Sequence, residues 1–209
     1  MKKVGRFILR VLIIIGFFVI ISIFQSVLEF KIHNEPLVLF FTYLTGFILV
    51  LIIFHEKLKF KKIKNFWKYL GIIVVCYLLT VISTSIISSI FNITSANEDM
   101  NEQLILSYPI ISIFIVGLFA PFYEEILFRL NFKDLFNKKW VFVIVTGVMF
   151  GATHLLSATS LAEVLFVIPY SIMGMGLSYI YYDSDNIYTS MLFHSINNIY
   201  VLLLLLIGR

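Results

Sequence analysis

The sequence has one cysteine, Cys76, and only 13% charged residues among 209, where a soluble domain carries roughly 25%. The lone thiol excludes a disulfide framework and a Cys-based zinc site, and its apolar neighbours give it a packing role. The shortage of charge excludes an ordinary water-soluble globule. Also missing are an internal repeat, a low-complexity tail, and the His-Glu-x-x-His pattern that delivers two zinc ligands from one helix. What is present is hydrophobic, 60% of the chain, in successive apolar runs of the length that crosses a bilayer.

Seven such runs stand at about 7–28, 36–54, 69–91, 104–128, 140–157, 161–182 and 187–207. At about 20 residues each they use about 140 residues, which leaves no room for a separate soluble domain. The expected architecture is an all-α polytopic membrane helix bundle of about seven transmembrane helices, one domain over 1–209. The first run follows Lys2, Lys3, Arg6 and Arg10 as a secretory signal would. It is longer than a signal's apolar core and no small-x-small cleavage site follows it, so it reads as a retained helix. The short connections at 158–160 and 183–186 predict antiparallel neighbours among the last three spans.

A net charge of +4 would suit nucleic acid if the bases shared one soluble surface, but their positions argue for a lipid bilayer as the partner instead. Fourteen of the sixteen Lys and Arg residues fall in three segments: four before the first span, six at 57–68 and four at 129–139. If the spans alternate, all three lie on one side, and the opposite loops carry Glu29, Glu35, Glu98, Asp99, Glu102 and Glu163. The positive-inside rule then predicts a multi-pass cell-membrane protein with a cytoplasmic N-terminus. The turn at 183–186 stands against this pattern, with Asp183, Asp185 and no base. The 57–68 stretch, where Phe60, Phe66 and Trp67 interleave with lysines, reads first as a topology signal, with docking on anionic lipid as the alternative.

Function is sought where a span retains a costly side chain, since a charge at a helix centre costs about 2.5–3.5 kcal/mol on insertion scales. Arg10, near a membrane edge, can snorkel to the surface. Five residues remain: Glu124, Glu125 and Arg129 at the end of span 4, His154 in span 5 and His194 in span 7. Glu125 and Arg129 are i,i+4 with the acid first, so they share a face and can neutralise each other. Glu124 is rotated about 100° from Glu125 and about 140° from Arg129, so its partners must come from other helices. Pro121 removes a donor and frees the carbonyl of Gly117 just before the acids. In span 5, Phe150 precedes His154 by one turn, and Gly147 and Gly151 form a small-xxx-small pair for close helix packing. In span 7, His194 and Asn198 share a face, with Asn197 turned about 60° away and assigned to interhelical hydrogen bonding. Two histidines, an unpaired glutamate and an amide supply a base, proton carriers and an oxyanion donor, an inventory that suits hydrolysis.

In order, Glu124-Glu125-x-x-x-Arg129, Phe150-x-x-x-His154 and His194-x-x-x-Asn198 resemble the three motifs of the CAAX protease and bacteriocin-processing (CPBP, also called Abi) intramembrane endopeptidases. The likeness covers about residues 104–200, and the first three spans carry no motif. It implies a protease related to the enzyme that trims prenylated CAAX proteins, with bacterial members associated with peptide maturation and bacteriocin self-immunity. It further implies Glu124 as the principal catalytic carboxylate, completed by His154, His194 and Asn198, with Glu125, Arg129 and the motif aromatic Phe150 in support.

Two mechanisms fit these residues. In one, Glu124 with His154 activates a water while His194 and Asn198 stabilise the oxyanion, and no metal takes part. In the other, Glu124, His154 and His194 bind zinc with an open position for water, as in metalloproteases. The metal-free form is preferred, because Asn is an uncommon zinc partner. Depth arithmetic raises a difficulty: at about 1.5 Å per residue His154 lies about 20 Å into span 5, and His194 about 10 Å into span 7. A misplaced start at Trp140 is the expected explanation. A non-catalytic immunity or peptide-binding protein is the alternative function, and a transporter is disfavoured by the missing inverted repeat. Tyr170, Met173, Met175 and Tyr179 in span 6 are expected to pack rather than to line a substrate groove. Peptide or protein precursors are the substrate class, with a prenylated CAAX protein as one candidate and a secreted peptide of a low-GC bacterium as another.

Overall fold

The computed structural model describes residues 2–208, the side chain of Lys2 excepted. The chain runs through α1 (Lys2–Lys31), α2 (Glu35–Phe54), α3 (Phe66–Phe91) and a short helix, α4 (Ala96–Ser107). A broken span follows: α5 (Pro109–Phe114), a π-turn π1 (Ile115–Phe119), α6 (Ala120–Glu125) and a second π-turn π2 (Ile126–Leu130). The last helices are α7 (Lys139–Thr153), α8 (Val167–Ser184) and α9 (Ile187–Ile207). Among the described residues there is no strand. Six segments are long and apolar enough to cross a membrane, and α7, at 15 residues, is a shorter apolar helix. The fold is an all-α polytopic bundle, and the protein is a multi-pass membrane protein.

Two expected boundaries move. Leu104, Ile105 and Leu106 belong to α4, because Tyr108 precedes a proline, which disfavours helical backbone, and sits at φ −137°, ψ 64°. The fifth span starts at Lys139, close to its expected start, but ends at Thr153 rather than 157. Residues 154–158 continue through i→i−3 bonds, such as Leu155 N to Ala152 O at 3.2 Å and Ala158 N to Leu155 O at 3.0 Å. The apolar pattern therefore outlasts the α-helical register.

The α7–α8 hairpin is packed backbone to backbone. A Cβ on Gly147 would lie 2.7 Å from Met175 N, and one on Gly174 would lie 2.7 Å from Gly147 O. Gly151 faces Ser171 N in the same way, at 2.8 Å. Any larger residue at these points would force the helices apart. The register is antiparallel, since Lys139 reaches Asp183 and the Trp140 ring meets Tyr179 at 5.8 Å. By contrast α1 and α3 expose apolar rows, including Leu12, Ile15, Val19 and Ile23, and Leu78, Ile82 and Ile86, as lipid-facing helices do.

One end of the bundle gathers the charges. Asp183 binds Lys68, Lys139 at 3.4 Å and the Tyr69 hydroxyl at 2.9 Å, and Asp185 binds Lys61 at 2.7 Å and Lys133 at 3.7 Å. The acidic turn at 183–186 is thus the counter-charge of the basic segments and breaks no pattern. The hydrogen bond from Lys61 holds the Asp185 carboxyl below the ordinary carboxylate range. Arg10 does not snorkel freely, because its guanidinium donates to Asn131 Oδ1 at 2.9 Å and pairs with Asp134 at 3.2 Å. It ties α1 to the segment after π2.

Candidate active site

Glu125 and Arg129 are wholly buried and form an ion pair at 3.0 Å. The guanidinium also donates to Ser178 Oγ at 3.2 Å and Gly174 O at 3.0 Å, and lies 4.5 Å from the centre of the Phe150 ring. Ser178 in turn accepts from Thr146. On the other side, Glu125 Oε2 accepts from Ser190 at 2.5 Å and Oε1 from His194 Nδ1 at 3.0 Å. A carboxylate can only accept, so Nδ1 carries the hydrogen and Nε2 is the free position of that ring. Nε2 lies 3.7 Å from Glu124 Oε2. The imidazole of His194 therefore stands between two adjacent glutamates: Glu125, fully committed, and Glu124, whose side chain keeps 16% exposure.

His154 lies at the end of α7, where the helix gives way to a turn. Its Nδ1 donates to Phe150 O at 3.0 Å, which again leaves Nε2 free. The Phe150 ring touches both histidines, at 4.6 Å from the His154 ring and 5.7 Å from the His194 ring. This aromatic, read only as a motif position, bridges the two.

The depth difficulty narrows once the helices are aligned through α8: Lys139 pairs with Asp183, while Ser190 meets Leu177 O, so α7 begins about one turn before α9. Phe150 lies against Gly174 in α8, and His154 stacks on Tyr170, one turn along. Ser190 meets Leu177 O across α8 and α9, which puts His194 near the level of Gly174, and Asn198 near the level of Tyr170 and His154. The site has two levels, one turn apart: Glu125, Arg129, Phe150 and His194 on one, His154 and Asn198 on the other.

Asn198 Nδ2 donates to Val116 O at 3.0 Å, and Asn197 Nδ2 to Asn198 Oδ1 at 3.3 Å. The carbonyl that Asn198 meets at the break made by Pro121 is that of Val116, the neighbour of Gly117. In the π-turn the bonding is i→i−5, as for Ala120 N to Ile115 O, so the missing N–H of residue 121 orphans residue 116. Asn198 fills that gap with one N–H and retains a second. The expected pairing of Glu124 with His154 is not the contact formed, since the histidine beside Glu124 is His194.

Ser190 and Ser178 were not singled out from the sequence, and Tyr170 was expected only to pack, whereas its ring stacks on His154. Ser190 lies one turn before His194 on the same face, so its spacing was a usable signal. Ser178 and Tyr170 come from α8, where nothing marks them among packing residues. Met173, Met175 and Tyr179 do pack, Met173 in the apolar core and Met175 against Gly147.

The residues as arranged do not fit a two-His, one-carboxylate zinc site. Among the described residues no three His, Cys, Asp or Glu side chains converge closely enough to hold an ion, and His154 stands a turn away from the Glu124–His194 pair.

Residues 106–200 match the family described as "Type II CAAX prenyl endopeptidase Rce1-like". A protein of Lactococcus lactis, "UPF0177 protein YxdF", is 31% identical over 127 residues, covering 59% of this chain and 66% of that protein. The chain thus spans just under two thirds of that relative's length. No solved structure matches. The match falls on the motif-bearing segment and agrees with the resemblance that the three motifs carry.

Proposed function

From the Rce1-like match of residues 106–200, we propose that the protein is an intramembrane endopeptidase that hydrolyses a peptide bond with a water activated by Glu124. The observation that carries this reading is the placement of His194 between two carboxylates, with Nδ1 fixed by Glu125 and Nε2 turned to Glu124. A committed acid orients the imidazole and leaves the second acid available, the logic of a general base supported by an oriented partner.

Charge balance supports the roles. Two glutamates and one arginine leave one unbalanced negative charge in a desolvated cluster, and one proton held between Glu124 and His194 Nε2 brings the sum to zero, reaching the oxyanion from Nε2 when the ring carries it. His194 then offers an Nε2–H to an oxyanion, beside the second N–H of Asn198. Glu124 takes one proton of the attacking water, and that same proton passes to the free Nε2 of His154 on the second level, which delivers it to the leaving amine. Glu125, Arg129, Phe150 and Ser190 hold these groups in place. The face that gathers the lysines is cytoplasmic by the positive-inside rule. Impermeant thiol labelling of single cysteines at 60 and 98, in a Cys76→Ser background, tests this: labelling at 60 in intact cells would reverse the orientation.

The decisive experiment is cleavage by purified protein in lipid, presented with prenylated CAAX peptides and with unprenylated peptide precursors in parallel. Cleavage that is lost in Glu124→Gln and survives chelation supports the mechanism. Cleavage abolished by chelation and restored by zinc would replace it with metal chemistry. Peptide binding with no cleavage, unchanged in Glu124→Ala, would favour a non-catalytic immunity or peptide-binding protein.

A further inference from the structure

Tyr170 belongs to none of the three motifs, and the chemistry proposed above does not use it. Its ring stacks on the His154 imidazole, with centroids 4.7 Å apart and planes at 27°. Its hydroxyl leaves the bundle core and is bound by Ser95 Oγ at 2.7 Å and Asn97 Nδ2 at 3.3 Å. Ser95 caps α4 and Asn97 lies in its first turn. At 12 residues, α4 is too short to span a membrane.

Ala96, between Ser95 and Asn97, links the same segment to the backbone beyond His154. Glu163, almost buried at 7% exposure, accepts from Ala96 N, from Thr159 N and Oγ1, and from Ser160 Oγ. Thr159 follows directly on the turn that begins at His154. Residues 95–97 are therefore attached to the His154 ring through Tyr170 and to the His154 turn through Glu163. Such a tether is needed there, because His154 stands where α7 ends and lacks the continuing helix that restrains His194 from both sides.

We infer that Tyr170 is a positioning residue for His154, and that Ser95 and Asn97 at the start of α4 set it from outside the membrane spans. The inference rests on the reading that His154 takes part in cleavage. Misplacing a catalytic group by about 1 Å can cost about 10²-fold in rate, so a ring held by one stack and one hydrogen bond is sensitive to loss of the stack. Mere packing would behave differently, with loss of accumulation but no selective effect on turnover.

The test uses the full chain in lipid nanodiscs with 15N-labelled histidine. The four histidines give separable ring signals, and those of His154 are identified by their loss in His154→Gln. Tyr170→Leu is expected to move and broaden the His154 ring signals and to lower kcat by about 10- to 10²-fold, with KM within about twofold. Tyr170→Phe keeps the stack and loses the tether, so a smaller loss of about three- to tenfold is expected, with the same signals displaced in the same direction. Ser95→Ala should match Tyr170→Phe and add nothing to it, since it acts through the hydroxyl. If Tyr170→Leu fails to accumulate, Tyr170→Phe and Ser95→Ala carry the same measurements. His154 signals and kcat both at wild-type values in these variants would overturn the inference, as would a full additional effect of Ser95→Ala on Tyr170→Phe. Undiminished cleavage by His154→Gln would instead overturn the functional reading. The ring signals then decide the placement alone, and signals unmoved in Tyr170→Leu overturn it.

Discussion

At the level of Glu125 the polar groups are buried and committed, with the carboxylate bound by Arg129, Ser190 and His194. One turn away, His154 and Asn198 are half-buried, and among the described residues His154 Nε2 and the second N–H of Asn198 have no hydrogen-bond partner. The first level is a closed ion network of the kind that is costly to break; the second is open, as a site that must receive water and substrate has to be. Glu124 stands at the border between them. The most deeply buried charges thus form a frame, and under the proposed function the chemistry falls to Glu124, which the Glu125–Arg129 pair leaves outside its own bonds.

The largest expected effect separates the two adjacent acids. Glu124→Gln should abolish cleavage, a loss of about 10²–10⁴-fold for a general base, with accumulation and thermal stability unchanged. Cleavage assays and a melting curve on one preparation check both halves. Full activity in Glu124→Gln would erase the functional contrast between the levels. Next, Arg129→Ala should leave Glu125 buried without its counter-charge and destabilise the fold by about 3–5 kcal/mol, read as lost accumulation or a lowered melting temperature. If Arg129→Ala melts as the wild type does, the first level is not a frame.

Much of this division was legible before the structure, because helix periodicity alone pairs Glu125 with Arg129 and turns Glu124 away. The long spans were legible for a similar reason: the bilayer fixes their length. What escaped depends on register and on neighbours. Leu104 to Leu106 extend an apolar run across a proline boundary, and hydropathy does not register Tyr108 leaving helical geometry. The choice between the Gly117 and Val116 carbonyls turns on a single residue of π-register, which Pro121 permits but does not declare. That Glu124 meets His194 and not His154 follows from the α7–α8–α9 alignment, set by Gly147, Gly151 and Gly174 through contacts between helices. Tyr170 looked like a packing residue, since its contacts with Ser95, Asn97 and His154 join segments far apart in the chain.

Asn198 sharpens the comparison on the open level. It donates one N–H to Val116 O and keeps a second, so under the proposed function Asn198→Ala should lower kcat by about 10²–10³-fold, the usual cost of one oxyanion donor. Asn198→Asp should be at least as inactive, because it replaces donor with acceptor at both places. Asn197→Ala should be mild. Under zinc chemistry a carboxylate at 198 would serve as a ligand, so an active Asn198→Asp variant that needs added zinc would overturn the oxyanion role.

The smallest effect is expected at the charged end of the bundle, where Asp185 is exposed yet paired with Lys61 and Lys133. Exposed pairs contribute no more than about 1 kcal/mol and are screened by salt, so Asp185→Asn should lower stability slightly and leave turnover unchanged. The pH dependence has a definite sign. The folded carboxyl is depressed below its ordinary value of 3.8, chiefly by the Lys61 hydrogen bond. Its contribution is therefore fully present above that value and is lost as pH falls through the lower folded one. Melting curves of wild type and Asp185→Asn should then differ slightly at neutral pH, approach each other below about pH 4, and also converge in high salt. The loss in Arg129→Ala, by contrast, should persist in high salt, because its ion pair lies where salt does not reach. A salt-sensitive Arg129→Ala defect would mean that the two kinds of ion pair are built alike.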